Sequence, residues 1–120
     1  MLVVDDDLSV ATFMRALLES WGLLVTLASS AAEAIALVKR GLASFDLLIS
    51  DQMMPRMTGV ELAQICPELP VLLYTGHAES IEGGESEAAG VRAILTKPVD
   101  PHTLFGLLRT NPPAQGVSAA

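Results

Sequence analysis

Five short, nearly continuous apolar runs constrain this chain more than any other feature. They are Leu2–Val4, Leu23–Ala28, Asp46–Ser50, Val71–Thr75 and Val91–Thr96. Strands that lack a clean polar alternation belong in a parallel sheet covered by helices on both faces. The stretches between them carry helical spacing instead. The chain therefore reads as five strands alternating with five helices in an α/β layer fold.

The first helix is expected from Leu8 to Trp21, with Val10, Phe13, Met14, Leu17, Leu18 and Trp21 on one face and Gly22 as its C-terminal stop. Ser29 or Ser30 caps the second helix, and Glu33 stands at capping-box spacing from Ser30. Ala34, Leu37 and Val38 form its apolar face, and Lys39 and Arg40 lie at its cation-favouring end. Asp51 to Thr58 is expected as a loop, after which Thr58 and Glu61 cap a short helix running to Ile65. Glu82–Ala89 carries glycines, Gly83-Gly84, and many acids, and so makes only a weak helix. Pro101 opens the last helix, which Leu104–Arg109 completes. From Asn111 onward Pro, Gly, Ser and Ala dominate, so residues 1–110 are expected as one domain and 111–120 as a flexible tail or linker.

Composition narrows the functional classes. A chain of 120 residues can build one core but not two. Its net charge of −7, with the basic residues scattered, disfavours direct nucleic-acid binding, which needs clustered Lys and Arg. The single cysteine, Cys66, excludes an internal disulfide, fits a reducing compartment and reads as structural. No apolar run approaches a membrane span, and the opening Met1–Val4 lacks a signal peptide's basic region. Direct membrane contact is therefore not expected.

The chemistry sits where the strands end. Asp5, Asp6 and Asp7 follow the first run, Asp51 follows the third, Thr75 ends the fourth and Lys97-Pro98 ends the fifth. In an open α/β sheet, right-handed crossovers bring all strand C-terminal ends to one edge, where sites form. If the first and third strands are neighbours, Asp5, Asp6 and Asp51 converge, and their repulsion pushes at least one pKa upward. Mg²⁺ resolves that conflict, with two or three carboxylates, a backbone carbonyl and waters in octahedral geometry. Met53, just past Asp51, offers the carbonyl. Taken alone, Asp5 to Asp7 read equally as a solvated helix-capping turn; the combination with Thr75 and Lys97 argues for a site.

These residues resemble a response-regulator receiver domain of two-component signalling. The resemblance is carried by Leu2-Val3-Val4-Asp5-Asp6-Asp7, Ser50-Asp51-Gln52-Met53-Met54-Pro55, Met57-Thr58-Gly59, Tyr74-Thr75-Gly76 and Leu95-Thr96-Lys97-Pro98, and it extends to about Arg109. It implies a flavodoxin-like, doubly wound sheet in strand order 2-1-3-4-5. It implies that Asp51 accepts a phosphoryl group from a histidine kinase or a histidine phosphotransfer domain, that Asp5 and Asp6 hold Mg²⁺, and that Asp51 later loses the group by hydrolysis. Thr75 would be the switch hydroxyl, Lys97 the partner of the phosphoryl oxygens, and Lys97-Pro98 a cis bond. Met53 and His77 would flank the acyl phosphate and tune its lifetime, although for His77 the solvent-facing reading is favoured. A cytoplasmic location follows, including the cytoplasmic part of a membrane-bound sensor kinase.

The chain also departs from the family pattern. Ile94 stands three residues before Lys97, where the family often places an aromatic switch ring, and reads as a buried or half-buried strand residue. The helix before Cys66-Pro67 is short, and Gly83-Gly84 loosens the region before the fourth helix. A homodimer through the fourth helix, fifth strand and last helix stays open, because Leu104, Leu107 and Leu108 can be spent on the core. The parent protein reads as a hybrid sensor kinase, a standalone regulator or a transcription factor, with the first slightly ahead. Two other classes remain: an interaction module that never takes phosphate, and a small aspartate-nucleophile phosphatase. Asp51, Thr75 and Lys97 argue against the first, and the lack of an evident base or cap argues against the second.

Overall fold

The computed structural model describes residues 1–40, 45–76 and 90–110. Strands β1 (Leu2–Val4), β2 (Thr26–Ala28), β3 (Leu48–Asp51), β4 (Val71–Thr75) and β5 (Val91–Thr96) form one parallel sheet in the order β2-β1-β3-β4-β5. Among the described residues four helices cover it: α1 (Leu8–Ser20), α2 (Ala31–Arg40), α3 (Gly59–Ile65) and α4 (Pro101–Thr110). The weak helix expected at Glu82–Ala89 lies outside the described residues, as do Gly83-Gly84, His77 and residues 111–120.

Side chains alternate across the sheet and divide the core in two. Leu2, Val4, Leu48, Val71 and Leu73 meet Ala34 of α2 and Val60, Leu62 and Ala63 of α3. Val3, Ile49, Leu72, Tyr74 and Leu95 meet Met14 and Leu18 of α1 and Leu104 and Leu108 of α4. Burial of each large aliphatic side chain is worth about 1.5–3 kcal/mol, enough to hold three-residue strands that could not pair alone.

The helix termini follow local chemistry. Asp7 caps α1 by accepting from the N–H groups of Ser9 and Val10, so the third aspartate of the opening run is structural. Gly22, at φ 85°, ends α1 in a Schellman arrangement: its N–H donates to the Glu19 carbonyl, and the Leu23 N–H donates to that of Leu18. Thr58 and Glu61 make the expected capping box on α3. At α2 the Glu33 N–H donates to Ser30, but the Glu33 carboxylate accepts from Ser29 rather than from Ser30. Asp100 accepts from both the N–H and the hydroxyl of Thr103, ahead of Pro101.

Three expectations shift. Phe13 is 51% exposed, because it lies about 100° around α1 from Met14, and Ala11 takes the buried place instead. Strand β2 pairs only from Thr26, although Leu23 is buried before it. Asp51 is the last residue of β3 and pairs with Tyr74, so the strand runs one residue further than its carboxylate suggested.

Gly59 opens α3 at a contact no other residue fits. A Cβ there would lie 2.6 Å from the Leu73 side chain and 2.7 Å from the Asp51 backbone oxygen. Leucine can rotate away, but a carbonyl inside a sheet cannot. Gly59→Ala is expected to destabilise the protein by about 1–3 kcal/mol, as overpacking does, measured by urea unfolding. A change within error of zero would show that the loop yields freely.

Candidate functional site

Register alone assembles the polar groups. Val4 of β1 lies opposite Ser50 of β3, so the chain's next residues, Asp5 and Asp51, emerge side by side. Asp51 lies opposite Tyr74, and Thr75 opposite Thr96, which places Lys97 just beyond Thr75. The Lys97 N–H donates to the Thr75 carbonyl at 2.8 Å and fixes that junction. The following peptide bond, Lys97-Pro98, is cis.

Asp5 and Asp51 are 1% and 3% exposed, while Asp6 faces solvent. One oxygen from each of the three carboxylates lies within 4.8 Å of the others. Lys97 Nζ stands 3.3 Å from Asp51 Oδ1, which also accepts the Met53 N–H at 3.3 Å. Burial, and then the charge of Asp5, push the Asp51 carboxyl above the usual carboxylate range, and Lys97 opposes them without winning. Three acids against one ammonium leave an electron-rich pocket of hard oxygen donors, the donor set that Mg²⁺ prefers. Thr75 is fully buried at the end of β4.

The loop after Asp51 is held by Gln52. Its N–H donates to the Tyr74 carbonyl, its own carbonyl accepts from Gly59, and its side-chain oxygen accepts the Val60 N–H at 2.9 Å. Gln52 thus anchors the start of α3 to the residue beside the acid pocket. No sequence pattern signals this, since a polar residue in a loop reads as solvated.

Tyr74 is the second site residue that stands inside a matching motif without a role assigned to it. It is fully buried, and its hydroxyl donates to Asp5 Oδ2 at 2.7 Å. Burial, the hydrogen bond to Asp5 and the surrounding carboxylates hold the phenol protonated far above its ordinary range. A lone tyrosine closing a buried strand in an aromatic-poor chain was the available hint.

The other expected positions fall around this pocket. Met53 contributes its backbone N–H to Asp51 while its side chain is 59% exposed. Ile94 is 36% exposed, more than expected, because β5 is an edge strand. Cys66 is buried against α3 and β4 neighbours, and burial pushes its thiol upward. No helix among the described residues is long and apolar enough to cross a membrane.

The folded protein binds the Asp51 proton more tightly than the unfolded chain does. The stability this group contributes is therefore full below the unfolded carboxyl pKa and is lost as pH rises through the folded value. Asp51→Asn is expected to raise the metal-free melting temperature at neutral pH by a few degrees. The gain should shrink as pH falls into the carboxylate range. A melting temperature lowered at neutral pH would show that the Lys97 attraction outweighs burial and repulsion.

Comparison with known proteins agrees with this geometry. The chain matches the response regulator receiver domain family over residues 1–109. It is 39% identical over 114 residues to an uncharacterized 14.6 kDa protein from the sodA1 3′ region of Leptolyngbya boryana, covering 90% of this chain and 86% of that one. It is 37% identical over 103 residues to the transcriptional regulatory protein ZraR of Escherichia coli, covering 82% of this chain but only 23% of ZraR. Among solved structures it is similar to the chemotaxis protein CheY4 of Vibrio cholerae, with a TM-score of 0.79 and 32% identity over 92% of this chain and 95% of that one. This chain belongs to the receiver domains of response regulators, the phosphoacceptor modules of two-component signalling.

Proposed function

We propose that this receiver takes a phosphoryl group from a phosphohistidine donor onto Asp51 in a Mg²⁺-dependent reaction and so switches its partner contacts. The observation that carries this reading is the Lys97 ammonium 3.3 Å from a buried Asp51 whose carboxylate faces two more. Asp51 acts as the nucleophile: one carboxylate oxygen bonds to phosphorus, and the bond from phosphorus to the donor imidazole breaks. The leaving imidazole retains the electron pair and takes a proton. Lys97 transfers its hydrogen bond from Asp51 to a phosphoryl oxygen and stabilises charge there. The Met53 N–H, already directed at Asp51, holds the nucleophile in place.

Asp5, Asp6 and Asp51, with the Met53 carbonyl, are the residues proposed to hold Mg²⁺. When bound, the ion neutralises the acid pocket and the charge of the incoming group. Thr75, buried where β4 ends beside Lys97, is the proposed switch hydroxyl, and a bond from it to the phosphoryl group draws the following chain inward. Ile94, exposed on the edge strand, offers this switch an aliphatic surface in place of a ring. The proposed donor is a histidine kinase or a histidine phosphotransfer domain. Leu8 and Phe13 stand exposed at 74% and 51% on α1, and Phe13 borders a cleft shared with Lys97, Pro98 and Val99. An apolar rim beside the reacting lysine suits a protein donor that must bring its imidazole to Asp51.

Intact-protein mass after incubation with acetyl phosphate tests the reading. A gain of one phosphoryl is expected with Mg²⁺ and not without it, absent from Asp51→Asn and slowed about a hundredfold in Lys97→Met. No gain, under conditions that label another receiver, would favour an interaction module that works unmodified.

A further inference from the structure

We propose that Tyr74 is a positioning residue for the cation site, its hydroxyl fixing Asp5 while its ring seats Lys97. This rests on the reading of Asp5, Asp6 and Asp51 as cation ligands. Tyr74 is the chain's only tyrosine, and it lies in the apolar layer between the sheet and helices α1 and α4. A leucine or methionine would fill such a place without bringing a hydroxyl into the interior, where it costs free energy unless bonded. The hydroxyl finds its partner 69 positions away in sequence, at Asp5 Oδ2, 2.7 Å distant. Hydrogen bonds to an ionised acceptor are short and roughly twice as strong as neutral ones.

The other Asp5 oxygen is also engaged, accepting the Asp7 N–H at 2.8 Å. With a donor on each oxygen, the carboxylate plane is fixed, and each oxygen keeps a remaining lone pair for a cation or its water. The same side chain touches the opposite arm of the site. Lys97 Nζ stands 5.2 Å from the Tyr74 ring centroid, within cation–π range, while it reaches Asp51. One residue therefore sets the orientation of an acid on one side of the pocket and of the ammonium on the other. Outer-shell partners of this kind govern ligand geometry, and their loss typically costs 10–100-fold in metal affinity or activity.

Tyr74→Phe separates the two contacts, because it keeps the ring and removes only the hydroxyl. Calorimetric titration with Mg²⁺ is expected to show binding weakened about tenfold relative to the wild type. In an Asp5→Asn background the same substitution should change Mg²⁺ affinity little, since the partner of the hydroxyl is already altered. A residue that only fills the core would lower melting temperature without this dependence on Asp5. In the wild type, the single tyrosine's near-ultraviolet band should shift as Mg²⁺ saturates the site, and this readout decides alone if Tyr74→Phe does not fold. Unchanged Mg²⁺ affinity in folded Tyr74→Phe, or a tyrosine band indifferent to Mg²⁺ that the wild type binds, would overturn this inference and leave the phosphoacceptor reading standing. Failure of the wild type to bind Mg²⁺ would overturn both.

Discussion

Asp5 and Asp51 are nearly withdrawn from water at the same edge of the sheet, and backbone register forces them together. Neither can leave, because each continues a strand whose neighbours are buried on both faces. Their repulsion is the interaction to which the rest of the site answers. Lys97 approaches Asp51, Tyr74 donates to Asp5, and the Asp7 and Met53 N–H groups complete the first set of contacts. Even so, the Asp51 carboxyl stays above its ordinary range. A pocket left unbalanced in this way would gain free energy from binding a divalent cation.

The scaffold holds this tension with few residues. Gln52 ties the loop after Asp51 to Tyr74 on one side and to the start of α3 on the other. Gly59 lets α3 begin against the Asp51 carbonyl, and the Thr58–Glu61 box caps the N-terminus of that short helix. Asp7 caps α1 and also donates its N–H to Asp5, so the first helix and the acid pocket share a residue. Local folding signals and site geometry are thus the same contacts, so the fold itself holds the site residues in position.

Much of this was legible in the sequence for a physical reason. A buried strand has to end in polar residues at the sheet edge, and those at Asp5, Asp51, Thr75 and Lys97 mark four such ends. The capping spacing of Thr58 and Glu61, and the glycine after α1, act over three or four residues and so survive in one dimension. Tyr74 was not legible as a site residue, because strand periodicity assigns it to the core and its polar partner comes from β1. Gln52 was hidden in the same way, since its side chain works across eight positions. Phe13 was misplaced because helical periodicity gives a stripe wider than the contact actually made, and the residue at its margin fell on the exposed side.

The most direct test is a crystal structure of the protein with Mg²⁺ and beryllium trifluoride, a tetrahedral stand-in for the phosphoryl group. The predicted result is beryllium bonded to an Asp51 oxygen, Mg²⁺ held by Asp5, Asp6, Asp51 and the Met53 carbonyl, and Lys97 moved from Asp51 onto a fluorine. An adduct bound elsewhere, or Lys97 still paired with an unmodified Asp51 and the cation outside the three carboxylates, would contradict it.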